Sequence, residues 1–144
     1  ATHPAPCAEV NTLRFRRVPR GYTCHDVARM LAQHVPLTFV KYVRVTNTGY
    51  CFVVFVDMHA AFDATKSMLG KYWSYAIHRG MTYGSRKIGI DVAHVQGLPM
   101  QLREFRDRAT QNADLDVPLV FVNGQEVAWH VALERLADEG VYEV

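Results

Sequence analysis

The chain has 144 residues, 49% of them hydrophobic, enough for one domain with a proper core, which sets disorder aside everywhere except near the ends. Sixteen Lys and Arg against fourteen Asp and Glu leave a net charge of +2, so any affinity for nucleic acid rests on where the cations sit. Cys7, Cys24 and Cys51 are odd in number and far apart, without a CxxC or a histidine at ligand spacing, which excludes a disulfide framework and a zinc site, and no apolar run reaches the length of a membrane span.

Residues 1–10 are rich in Pro and Ala and read as a flexible segment. Leu13–Val18 reads as a first strand, with Leu13 and Phe15 toward a core and Arg14 and Arg16 on the other side. Pro19-Arg20-Gly21-Tyr22 turns the chain, and Thr23 with Asp26 makes a capping-box start for a helix. Val27, Met30, Leu31 and Val35 recur on one face of that helix until Pro36. Phe39–Val45 is a second strand, Thr46–Gly49 a turn, and Tyr50–Phe55 a third strand antiparallel to the second.

Asp57 opens a second helix whose Ala61, Ala64, Thr65 and Met68 suit close packing on a sheet, and Gly70 closes it. Trp73 and Tyr75 begin an irregular connection through Gly80 and Gly84. Ile88, Ile90 and Val92 then alternate with Gly89, Asp91 and Ala93 as a fourth strand with one buried face. The predicted class is α+β: a four-stranded antiparallel sheet over residues 11–97 with two helices on one face, in the ferredoxin-like βαββαβ order. Residues 98–144 form an extension packed on the same domain. Leu98, Leu102, Phe105 and Ala109 stripe a helix, Val117–Val122 is a strand, Asn123-Gly124 a turn and Val127–Ala137 a last helix.

The most specific segment is Thr48-Gly49-Tyr50-Cys51-Phe52-Val53-Val54-Phe55. The two-residue repeat of a strand sends Cys51, Val53 and Phe55 to one face and Tyr50, Phe52 and Val54 to the other. That second face carries two rings at a spacing on which neighbouring unstacked bases can lie. An ordinary buried strand has similar composition, but here the octapeptide matches the central-strand signature of an RNA recognition motif at every position except Thr48, where a basic residue is usual. Basic residues cluster nearby: Arg14, Arg16, Arg17 and Arg20 around the first strand, Lys41 and Arg44 on the second.

From Asn11 to about Gly124, some four fifths of the chain, the sequence resembles more narrowly the C-terminal RNA recognition motif of the Mei-type meiosis regulators and plant terminal-ear proteins. Thr12-Leu13 with Val18-Pro19 and Tyr22-Thr23, Asn47 to Phe52 with Phe55 and Asp57, Gly70-Lys71 and Trp73, and Lys87-Ile88 with Ala93 and Gln96-Gly97 carry the likeness. Phe105, Pro118-Leu119 and Phe121 extend it beyond the fourth strand. The resemblance implies single-stranded RNA binding through an open sheet face, with Tyr50 and Phe52 as the stacking rings and Arg14 where an aromatic is typical. Arg14, Arg16, Lys41 and Arg44 are the candidate phosphate contacts. The turn between the second and third strands is shorter than usual, the segment from Trp73 to Lys87 is longer, and Arg17 replaces a typical Asn.

Two other functions stand beside this one. The first is a structural subunit of a large ribonucleoprotein or protein assembly with little RNA binding of its own, docked through the last helix around Trp129. The second is a redox-inactive domain of thioredoxin or glutaredoxin type, suggested by Val117–Gly124 followed by a helix; its catalytic thiol position reads Met58-His59-Ala60-Ala61, without cysteine. The seven histidines show no paired-ligand spacing, and Ser67, Ser74 and Ser85 lack the turn of a nucleophile elbow. Neither catalysis, metal nor cofactor is expected, and Trp73 and Trp129 read as packing anchors. A reducing intracellular compartment fits the cysteines, with nucleus, cytoplasm and organelle all open, and a start at Ala1 without Met fits a processed protein or a fragment.

Overall fold

The computed structural model describes residues 9–73, 86–111 and 116–138. Expectations that concern Cys7, the first eight residues, Ser74, Ser85 and the connection through Tyr75, Gly80 and Gly84 lie outside the described residues.

The fold is α+β, and the described residues form one antiparallel sheet of six strands and four α-helices. In chain order these are β1 (Thr12–Arg16), α1 (Cys24–Ala32), β2 (Val40–Val45), β3 (Tyr50–Phe55), α2 (Met58–Met68), β4 (Gly89–Val92), α3 (Leu98–Ala109), β5 (Leu119–Val122), β6 (Gln125–Val127) and α4 (Trp129–Asp138). The strands lie side by side as β4-β1-β3-β2-β5-β6, so β3 and β2 are central and β1 lies between β3 and the edge strand β4.

Local chemistry sets the helix starts. Thr23 accepts from the Asp26 amide at 3.1 Å while the Asp26 carboxylate accepts from the Thr23 amide at 2.8 Å, closing the capping box of α1. Asp57 accepts from the Ala60 amide at 2.8 Å and starts α2. Both helices cover one face of the sheet, called here the inner face. Phe15, Val43, Cys51, Val53 and Phe55 meet Val27, Leu31, Ala61, Ala64 and Met68 there in the larger core. Trp73 is fully buried against Phe15 and Tyr22, and its indole N–H donates to the Arg16 carbonyl at 3.0 Å.

The sheet is two strands wider than the four expected. β5 pairs with β2, and Asn123 and Gly124, both at positive φ, fold β6 back on β5 in a tight hairpin. The extension thus supplies hydrogen-bond partners to an edge that β2 would otherwise present. Val127 therefore ends a strand, and the last helix begins at Trp129 instead. A second correction concerns β4. It is an edge strand, and Val92 at its end remains 58% exposed, while Ile88 and Ala93 flank the strand as buried residues.

Candidate nucleic-acid interface

The opposite, outer face carries the predicted site. Register across the strands fixes its rows. Arg14 stands opposite Asp91 on one side and Phe52 on the other, and Phe52 is in turn opposite Arg44. The next row toward the β2–β3 turn has Gly89, Arg16 and Tyr50. The row on the other side of Phe52 runs Thr12, Val54, Tyr42 and Val120.

These rows differ in cover. Tyr42, Val54, Val120, Leu102 and Ala132 form a second, smaller core, against which Phe52, Leu98, Trp129, Leu133 and Leu136 pack. Helices α3 and α4 therefore close the Val54 end of the outer face, and among the described residues the sheet is open toward Tyr50. Phe105 and Trp129 meet edge to face at 5.0 Å where the two helices touch. Burial pushes the Tyr42 phenol well up, with a smaller downward pull from Arg44, so it stays neutral.

At the open end both rings are half-buried, and each has a guanidinium over it: Arg14 at 4.8 Å from the Tyr50 centroid and Arg44 at 5.0 Å from that of Phe52. Arg44 is only 6% exposed, and among the described residues no ion pair reaches it. Arg14 and Arg16 converge on one carboxylate. Arg14 donates to Asp91 Oδ2 at 2.8 Å, and Arg16 Nε lies 3.0 Å from the same oxygen as an ion pair without hydrogen-bond alignment. The Arg14 hydrogen bond is the main reason that the Asp91 carboxyl titrates below its usual range. Arg16 can lie flat because its neighbour is glycine: a β-carbon on Gly89 would sit 2.8 Å from the guanidinium.

The structure brings together Tyr50, Phe52, Arg14, Arg16 and Arg44. Lys41 is apart from them: it is the extra residue of a bulge between Val40 and Tyr42, at the covered end of β2. Sequence reasoning missed Asp91 as part of this face, although the alternation of β4 already placed it opposite the isoleucines. It also missed how far α3 and α4 reach over the sheet, a tertiary matter that no local pattern encodes.

A cleft of about 880 Å³ opens at the β2–β3 turn between Val18–Thr23 and Val45–Gly49, with Arg86 and Asp116 in its wall, but neither Tyr50 nor Phe52 lines it. Cys24 and Cys51 are buried, and burial pushes both thiols up, which leaves little thiolate for nucleophilic chemistry. No group of three or more metal-ligating side chains occurs among the described residues, and no described helix is long and apolar enough to cross a membrane. No family model and no curated protein matches the chain.

Proposed function

We propose that the chain is a single-stranded RNA-binding module with the fold of an RNA recognition motif, widened at one edge and half covered by its own C-terminal extension. The observation that carries this reading is the pair Tyr50 and Phe52 on the outer face of a central strand, half-buried and flanked in register by Arg14, Arg16 and Arg44. Rings at this spacing can stack bases, and the half-exposed Arg14 and Arg16 guanidinium groups can neutralise phosphates, whereas Arg44 is almost entirely buried against Phe52. The strand order β4-β1-β3-β2 with α1 and α2 on the other face supports the motif, and the elements that carry the Mei-type likeness beyond the fourth strand form α3 and β5. Tyr50, the less enclosed ring, takes the principal base, and Phe52 a second one partly screened by the extension.

Fluorescence anisotropy with a random single-stranded RNA pool at two salt concentrations tests this. Salt-sensitive binding that Tyr50→Ala/Phe52→Ala abolishes is the expected result. Equal affinity of the double variant and the wild type would sink the mechanism.

A second reading has its own support. Met58 and Phe62 on α2, with Leu69 at its C-cap, form an outward stripe, 46%, 60% and 54% exposed, on the side away from the rings. Such a stripe suits a subunit of a larger ribonucleoprotein or protein assembly, with the last helix around Trp129 as a further docking element. A monodisperse, highly soluble monomer that binds RNA by itself counts against it.

A further inference from the structure

We propose that Asp91 is an internal counter-ion that occupies Arg14 and Arg16 in the place an RNA phosphate would take, and so sets how tightly the open end of the sheet binds RNA. The inference rests on the RNA-binding reading. It comes from one oxygen, Asp91 Oδ2, which lies 2.8 Å from Arg14 and 3.0 Å from Arg16. Both arginines point across the outer face toward the edge strand, and Arg14 at the same time covers Tyr50.

The three charged side chains are each about 35 to 37% exposed, so they sit where a polyanion can reach them. Their pairing is therefore of the exposed kind, weak enough to be exchanged. The exchange has a simple balance. A phosphate that takes Arg14 and Arg16 must displace a carboxylate already there, and it then lies next to that carboxylate's negative charge. Bending Arg14 toward the phosphate also lifts it from the Tyr50 ring, which frees that face for a base. Asp91 thus couples two events, phosphate capture and ring exposure. Gly89 belongs to the same device, because a β-carbon there would sit 2.8 Å from the Arg16 guanidinium and push that flexible side chain from its place beside Asp91.

The test compares RNA affinity and its salt dependence for the wild type, Asp91→Asn and a control, Asp63→Asn. The control removes the same charge from the exposed side of α2, in the layer across the sheet. Asp91→Asn is expected to tighten binding by roughly three- to tenfold, in line with the release of two exposed ion pairs. It should also steepen the dependence of log K on log salt by about 0.7 for each phosphate newly neutralised. Asp63→Asn should leave both unchanged. In an Asp91→Asn/Arg14→Ala double variant the gain should disappear.

Weaker or unchanged binding by Asp91→Asn, with a wild type that binds through its rings, would overturn the inference and make Asp91 a positioning residue. An equal gain from Asp63→Asn would overturn it as well, by reducing it to net charge. Binding that appears only in Asp91→Asn supports it in its strongest form. If wild type and Asp91→Asn both fail to bind, or both bind equally well without Tyr50 and Phe52, the RNA-binding reading itself falls, and the inference with it.

Discussion

The Arg44 guanidinium lies 5.0 Å from the centroid of the Phe52 ring while Arg44 itself is almost entirely buried, so this pair belongs as much to the packing of the sheet as to its surface. Phe52 also touches the core formed with α3 and α4. Tyr50 lies outside that core. The two rings of the signature strand should therefore separate under mutation. Tyr50→Ala is expected to weaken RNA binding by about 1–3 kcal/mol. Its effect on stability should be the smaller one, about 1 kcal/mol, as for a half-buried strand aromatic. Phe52→Ala should cost about 2 kcal/mol of stability, below the range for a fully buried ring. Urea denaturation beside RNA titration checks the split, and a reversed order would mean that the extension does not pack on Phe52 as described.

The two tryptophans report on opposite sides of the sheet. Trp73 is sealed in the inner core with Phe15 and Tyr22, whereas Trp129 packs on Phe105 at the outer one. Leu102 is fully buried between α3 and the sheet. Leu102→Ala should therefore cost about 3 kcal/mol and lower the unfolding midpoint seen by either tryptophan alone. Single-tryptophan variants, Trp129→Phe and Trp73→Phe, allow the two signals to be read separately. Coincident transitions are expected if the extension unfolds with the sheet. An early Trp129 transition would show the extension to be a separate cooperative unit.

Acid should weaken the fold through His34. Its Nδ1 is 2.7 Å from Ser67 Oγ, joining the end of α1 to α2, and burial, with Lys71 nearby, holds its pKa below the usual imidazole value. The folded state then stays neutral where the unfolded chain has begun to take up a proton. Protons bound preferentially to the unfolded state make stability rise with pH. This contribution is thus fully present above the ordinary imidazole pKa near 6.5 and is lost as pH falls from there to the lowered folded value. Replacing His34 by Gln should flatten stability across that window, measured by denaturation at steps between about pH 7 and 5. An unchanged slope would place the acid sensitivity elsewhere.

Much of this architecture is written locally. Thr23 with Asp26, Asp57, Gly49 and Asn123-Gly124 specify caps and turns within a few residues, and each forms as its chemistry dictates. The alternation of β3 separated Cys51, Val53 and Phe55 from Tyr50 and Phe52 correctly. What local patterns could not show was the fate of the outer face. Val54 reads as surface by alternation yet is fully buried, because Leu102 and Ala132 arrive from distant sequence. Val127 reads as helical by spacing, but the hairpin turn just before it ties it to β5. Lys41 was grouped with Arg44 by proximity along β2, although residues three apart on a strand already fall on opposite faces, and Lys41 is the extra residue of the bulge between Val40 and Tyr42.

Gln96 is the clearest case of a residue noticed for one reason and explained by another. It stood out as part of Gln96-Gly97 in the family likeness, and its side chain proves to be a clamp between the start of β1 and the segment after β4. Its Oε1 accepts from the Asn11 and Thr12 amides at 3.0 and 2.9 Å, while its Nε2 donates to the Thr12 and Ala93 carbonyls at 2.9 and 2.7 Å. Thr12, itself fully buried, completes the link by accepting from the Gly97 amide through its hydroxyl at 2.8 Å. Gln96→Leu keeps the volume but strips these backbone groups of partners, so a loss of about 2–4 kcal/mol is expected. Gln96→Glu is more diagnostic. The ionised carboxylate can still accept from both amides but faces two carbonyls it cannot donate to, which raises its pKa in the folded state. A group raised in this way stabilises below its unfolded pKa and loses that contribution as pH rises through the folded value. The deficit of Gln96→Glu relative to wild type should therefore shrink as pH falls through the raised folded value and level off below the ordinary Glu pKa of about 4.3, where the neutral acid has regained one donor. A deficit independent of pH would show that the two donated bonds contribute little, and that acceptance by Oε1 alone holds the strand.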